Sequence, residues 1–210
     1  MPNPEEGLPS RSAVLLVEDD SALSGYLASA LKSEGFEVQV AANRALALSC
    51  MERGSAPALV ILDLGLPPAP STLREGLLAL QELLRLQAAT KVIVLTGQDE
   101  AVAAHEAVRL GAFDFLTKPV SFQALVQALR RADLFAREEA RMVLSGEARL
   151  NIVARIGEGP KEAGSQAEEQ LLRRSFATCG YNVAETARQL GLAREHVYYY
   201  LNKYGIRRPD

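Results

Sequence analysis

Three uninterrupted apolar runs, Ala13 to Val17, Ala58 to Leu62 and Val92 to Leu95, each stop on a polar residue and are separated by stretches of helical periodicity. A run of four or five apolar residues without polar alternation suits a strand buried on both faces, as in a sheet covered by helices on either side. Two weaker segments, Glu37 to Ala41 and Asp114 to Leu116, bring the strands to five. Between them, Leu23, Leu27, Ala30 and Leu31 share a helical face that Gly35 closes, and helices are predicted over Ala45 to Glu52, Glu75 to Leu86 and Glu100 to Leu110. A last helix begins near Ser121, with Phe122, Leu125, Val126 and Leu129 on one face. Alternation of this kind predicts an α/β fold with a five-stranded, parallel, doubly wound sheet.

That pattern weakens beyond Phe135, and Gly157-Glu-Gly-Pro160 with Gly164-Ser165 marks a break. The predicted organisation is a tail over 1–11, an α/β domain over 12–135, a linker over 136–165 and a small all-α domain over 166–210. Within the linker, Ala148 to Ile156 is apolar enough to dock on a surface. The last domain carries a helix with Leu171, Leu172 and Phe176, stopped at Gly180. A short helix follows, N-capped by Asn182 and ended at Leu190-Gly191, and then a third over Arg194 to Lys203. Val197, Leu201 and Tyr204 share a face of that third helix, and Tyr198 is the expected inward member of the Tyr198 to Tyr200 run.

Charge divides along the same boundary. From Ser165 onward there are 7 Lys and Arg against 5 Asp and Glu, whereas the remainder holds 16 against 21, so a net charge of -3 conceals a basic end of +2. A basic end admits nucleic acid as a partner. With 48% hydrophobic residues and no apolar run of spanning length, a membrane anchor is not expected. The polar, Pro-rich stretch Met1 to Ser10 lacks the pattern of a signal peptide, which leads to the expectation of a cytoplasmic protein. Cys50 and Cys179 are isolated in sequence and read as small buried residues, not as a disulfide or metal ligands.

Ligands of open parallel sheets bind at the carboxyl ends of the strands, and the residues found there are chemically coherent. Glu18, Asp19 and Asp20 follow the first strand, Asp63 the third, Thr96 the fourth, and Lys118-Pro119 the fifth. Carboxylates gathered at one edge repel each other, and a hard cation such as Mg2+ relieves that repulsion. A carboxylate can also attack a phosphoryl group when a cation and a lysine neutralise the transferring oxygens.

Leu16-Val-Glu-Asp-Asp20, Ile61-Leu-Asp-Leu64 with Leu66-Pro67, Leu95-Thr-Gly97 and Gly111-Ala-Phe-Asp-Phe-Leu-Thr-Lys-Pro119 together resemble the receiver domain of bacterial two-component response regulators, which has a flavodoxin-like fold. The resemblance implies that Asp63 is the phosphoacceptor and that a sensor histidine kinase is the donor. It implies that Mg2+ is held by Glu18, Asp19, Asp63 and the backbone carbonyl of Gly65. Thr96, Lys118 and Phe115 are then the hydroxyl, the lysine and the aromatic that respond to the phosphoryl group. One departure is the stretch from Leu66 to Gly76, longer than the usual loop after the acceptor strand. His105 and His196 read as surface residues, not relay histidines.

Glu168 to Ile206 resembles the Fis-type helix-turn-helix of NtrC-class regulators, through Asn182-Val-Ala-Glu-Thr-Ala187, Leu190-Gly-Leu192 and Lys203-Tyr-Gly-Ile206. The ATPase domain of that class, with its phosphate-binding loop, is missing, and the arrangement is similar to the compact RegA/ActR-type regulators. The resemblance implies a homodimer bound to promoter DNA through Arg194, His196, Tyr199, Asn202, Lys203, Arg207 and Arg208. Glu195 and Tyr199 stand where basic residues are usual, and Ala193 replaces a polar N-cap. Two other readings compete: an adaptor whose last helices bind protein, and a metal-dependent phosphohydrolase. Gly65, two residues after Asp63, offers no acid or base for turnover, so the chain is not expected to be an enzyme beyond accepting a phosphoryl group and losing it slowly.

Overall fold

The computed structural model describes residues 12–52, 56–70, 72–97, 100–150, 152, 157 and 159–208, with the side chains of 100 and 101 excepted. The predicted tail and most of the apolar stretch Ala148 to Ile156 therefore lie outside the described residues. The chain divides into two compact units, Met1–Arg141 and Met142–Asp210.

In the first unit, strands β1 (Ala13–Val17), β2 (Glu37–Ala41), β3 (Leu59–Asp63), β4 (Lys91–Thr96) and β5 (Asp114–Thr117) alternate with helices α1 (Ser21–Ser33), α2 (Arg44–Glu52), α3 (Arg74–Leu86), α4 (Glu100–Arg109) and α5 (Phe122–Leu144), the last three residues of α5 falling to the second unit. The sheet is parallel throughout, in the order β2-β1-β3-β4-β5. Successive strand residues point to opposite faces, so each interior strand feeds two cores. Val14, Leu16, Leu59, Ile61, Ile93 and Leu95 pack with Leu27 and Leu31 of α1 and Leu125 and Leu129 of α5. Leu15, Val17, Val60, Leu62, Val92 and Val94 pack with residues of α2, α3 and α4, among them Ala47, Leu80, Leu83 and Ala107. β1, β3 and β4 take the continuous apolar runs because they are interior strands, whereas the edge strands β2 and β5 are largely half-buried or exposed.

The parallel register sets the ends of these strands at one level. Val17 pairs with Leu62, which puts Glu18 level with Asp63; Asp63 pairs with Leu95, and Thr96 with Thr117, one residue before Lys118.

The second unit contains α6 (Pro160–Thr178), α7 (Val183–Leu190) and α8 (Arg194–Lys203) around Leu172, Phe176 and Ile206, with Val183, Leu190, Tyr200, Leu201 and Tyr204 packed against them. Asn182 caps α7 by accepting from the backbone N–H groups of Ala184 (2.9 Å) and Glu185 (3.1 Å). Gly191 ends that helix at φ 65°, a left-handed conformation that a side chain would disfavour, and the chain turns at once into α8.

Three expectations are corrected. The stretch over 136–165 is not a plain linker: α5 continues to Leu144, and α6 starts at Pro160, where proline at the first helical position costs no hydrogen bond. Tyr198 does not pack inward; it is exposed, and Tyr200 contacts the core instead. At 100° per residue, the face centred on the buried Val197 includes positions 200, 201 and 204 and turns 198 away. Cys50 and Cys179 are free thiols and only half-buried.

Candidate metal centre at the carboxyl edge of the sheet

β1 ends in Val17, and the next residue, Glu18, is 2% exposed; Asp63, the last residue of β3, is 7% exposed. Two carboxylates this well buried need partners. The Lys118 ammonium, one residue past β5, lies 2.9 Å from Asp63 Oδ2 and 3.1 Å from Glu18 Oε2. Glu18 Oε1 also accepts from the Asp20 N–H at 3.2 Å, and Asp63 Oδ1 from the Gly65 N–H at 3.3 Å. Asp20 itself is engaged elsewhere, capping α1 through the N–H groups of Ala22 and Leu23 at 2.8 and 3.0 Å. This fixes the turn that presents Glu18 and the exposed Asp19.

Carboxylate oxygens of Glu18, Asp19 and Asp63 all lie within 4.8 Å of one another. An all-oxygen donor set on a compact edge fits a hard divalent cation that retains several waters, as Mg2+ does. Electrostatics point the same way. Burial, and then the neighbouring charge of Asp63, raise the Glu18 carboxyl above its ordinary value despite the opposing pull of Lys118. Burial works to lower Lys118, but its contacts with Asp63 and Glu18 outweigh that and hold the ammonium above its usual range. The site thus carries more negative charge than one lysine neutralises.

Thr96 is 1% exposed and ends β4; its hydroxyl donates to the Gly97 carbonyl at 3.4 Å, and its own carbonyl accepts the Lys118 N–H at 2.7 Å. Phe115 is 40% exposed on edge strand β5, while Phe113 packs on the α1/α5 side of the sheet and against the Phe135 ring. Sequence reasoning overlooked Gly76. It stands in the first turn of α3, and a Cβ built on it would fall 2.3 Å from Leu64 Cα and 2.6 Å from the Leu64 carbonyl oxygen. Helix α3 and the loop after β3 therefore touch backbone to backbone. The signal available in the sequence was a glycine opening a helical pattern.

In the second unit, Arg194, His196, Tyr199, Asn202, Lys203, Arg207 and Arg208 are all exposed. By helical geometry, the centre of the α8 face opposite Val197 is Glu195, Tyr199 and Asn202. Lys203 is engaged within its own unit: its ammonium lies 3.1 Å from Glu168 Oε2 and 4.7 Å from the Tyr204 ring centroid, and the Tyr204 hydroxyl donates to the same Glu168 oxygen at 2.7 Å. α8 lacks a side-chain N-cap, as expected from Ala193.

Fold and site together define a signalling domain built around a buried aspartate, and the chain belongs to the response regulator receiver domain family, whose family model matches residues 14–130. Among its relatives, the photosynthetic apparatus regulatory protein RegA of Rhodobacter capsulatus is 30% identical, with 89% of each chain covered. The acid tolerance regulatory protein ActR of Rhizobium meliloti is 28% identical, covering 87% of this chain and 81% of ActR. A CheY-like response regulator receiver domain protein of Methanospirillum hungatei superposes with a TM-score of 0.55 at 27% identity, over 61% of this chain and 99% of that one.

Proposed function

We propose that this response regulator accepts a phosphoryl group on Asp63 from a sensor histidine kinase and thereby controls DNA binding by its second unit. The observation that carries the first half is the convergence of Glu18, Asp19 and Asp63 within 4.8 Å, with the Lys118 ammonium on Asp63. In the transfer, an Asp63 carboxylate oxygen attacks the phosphorus of a phosphohistidine, the P–N bond breaks, and the imidazole leaves with its electron pair and takes a proton. Glu18, Asp19 and Asp63, with the Gly65 carbonyl, would hold Mg2+, which when bound offsets charge on the phosphoryl oxygens. Lys118 supplies the second positive charge, already oriented. Thr96 and Phe115, at the ends of β4 and on β5, are the residues through which the new charge would bias the domain between two states.

The second half rests on α7, the Gly191 turn and α8, which have the proportions of a helix-turn-helix, and on similarity to RegA and ActR over nearly the whole chain. Arg194, His196, Tyr199, Asn202, Arg207 and Arg208 form the proposed DNA surface, in a cytoplasmic homodimer reading two half-sites. One observation keeps the adaptor reading in view: Glu195 and Tyr199 at the centre of the α8 face give it little positive charge. The test selects bound fragments from the host genome, comparing protein carrying Mg2+ and beryllofluoride with Asp63→Ala under identical conditions. Sites enriched only with intact Asp63 are the expected result. Equal enrichment in both samples removes Asp63 as the switch, and enrichment in neither favours a protein partner.

A further inference from the structure

α3 follows the long loop from the acceptor strand, and three features of its first turn are linked. Its N-cap, Leu73, makes no side-chain cap bond, so the helix start is not secured in the usual way. Gly76 in that turn lies directly against the backbone of Leu64, the residue after Asp63. Arg44, the first residue of α2, reaches across to α3: its Nε donates to Glu75 Oε2 at 3.1 Å and its Nη1 to Glu82 Oε1 and Oε2 at 3.0 and 2.9 Å. A half-buried guanidinium bridging two carboxylates one helix-turn-pair apart holds a helix in position and register, a task for which the planar fork of arginine is suited.

We propose that Arg44 is a positioning residue for the phosphoacceptor loop, acting through α3. Arg44 fixes Glu75; Glu75 adjoins Gly76; Gly76 supports Leu64; and the next residue, Gly65, donates its N–H to Asp63 Oδ1. Gly65 is also confined from the loop side, since a Cβ there would lie 3.2 Å from the Pro70 carbonyl oxygen. Release of α3 would let residues 64 and 65 drift together and loosen both the hydrogen bond on Asp63 and the carbonyl proposed to face the metal. The inference rests on the phosphoacceptor reading of Asp63 only for its consequence in phosphoryl transfer, not for the geometry of Gly65.

The experiment uses the full chain, 15N-labelled, as wild type, Arg44→Gln, Arg44→Lys and Glu75→Gln. Without metal, the Gly65 amide resonance and its hydrogen-exchange protection are read; then Mg2+ is titrated, and labelling of Asp63 by acetyl phosphate is timed. In Arg44→Gln the Gly65 amide is expected to shift and lose protection, and Mg2+ affinity and labelling rate to fall on the order of tenfold, the lower end for residues that orient metal ligands indirectly. Arg44→Lys should restore part of each, and Glu75→Gln should reproduce the loss in a chain whose Arg44–Glu82 pair is intact. A merely structural role would lower the melting temperature while leaving the Gly65 amide unmoved and Mg2+ affinity within twofold of wild type, and that result overturns the proposal. If wild type neither binds Mg2+ nor is labelled, the reading of Asp63 fails, while the amide comparison still decides the role of Arg44.

Discussion

At the scale of one residue, Glu18 shows how the proposed metal site conflicts with folding. Its carboxyl is raised from the ordinary 4.5 by burial and by the neighbouring Asp63, so the folded chain without metal binds this proton more readily than the unfolded chain does. The sign follows from linkage: Glu18 favours the metal-free fold at low pH, and that contribution is lost as pH rises from below 4.5 through the raised folded value. Mg2+ needs the carboxylate, so the proton competes with it, and the thermal stabilisation given by Mg2+ should be small in the acidic part of this window and grow towards alkaline pH. Lys118 does not blur the profile, because its own shift is upward and it stays an ammonium throughout. Glu18→Gln should raise the melting temperature without metal and remove the Mg2+ increment, as expected where function retains a strained charge. Melting curves with and without Mg2+ across pH check this; an increment that survives in Glu18→Gln would remove Glu18 from the metal site.

At the scale of elements, α5 carries a buried ion pair far from the carboxyl edge of the sheet. Lys91, at the start of β4, meets Glu139 at 2.6 Å with both side chains less than 10% exposed, and its ammonium also lies 5.7 Å from the Phe135 ring centroid. Removing one partner strands the other charge, which costs about 3–5 kcal/mol, whereas an exposed pair such as Arg141–Glu138 contributes under about 1 kcal/mol. Glu139→Leu should therefore lower the unfolding free energy in denaturant titration by about 3–5 kcal/mol, and Glu138→Ala should leave it within about 0.5 kcal/mol; comparable losses would show that Glu139 contributes no more than a surface residue. This pair also explains where the sequence was legible and where it was not. Strands β1, β3 and β4 were readable because burial on both faces writes itself as a continuous apolar run, and the acidic edge because each run ends where the sheet ends. Arg137-Glu-Glu-Ala140 reads locally as a solvated stretch, so the apolar pattern weakens after Phe135 although α5 continues. Glu139 pairs with a lysine 48 positions earlier, and Glu82 of α3 with an arginine on α2; pairings between distant elements leave no periodicity in either segment. Tyr198 was misassigned for a local reason, since three successive tyrosines hide the helical phase that Val197 sets.

At the scale of the whole molecule, the proposed regulator must bind DNA with a surface that is only weakly basic, and the salt dependence of binding measures how. Each phosphate neutralised on duplex DNA adds about 0.9 to the magnitude of the slope of log K against log salt. Arg194, Arg207 and Arg208 on each of two protomers would give a slope of roughly -5. Lys203 would steepen it further if it reached phosphate, but its ammonium already sits on Glu168 and over Tyr204, joining α8 to α6. Leaving those contacts for the DNA backbone would break the link that also holds the Tyr204 hydroxyl, while Arg173 fixes the Tyr204 carbonyl at 2.9 Å. Lys203→Gln should thus lower the melting temperature of the second unit yet leave the slope nearly unchanged, whereas Arg207→Gln should reduce it by about 2, one contact per protomer. Both slopes are to be measured on the beryllofluoride form with a site recovered from the genomic selection. A loss of about 2 in Lys203→Gln would return that residue to the DNA surface, and a wild-type slope near zero would direct the second unit towards a protein partner, because without counterion release there is no phosphate backbone in the interface.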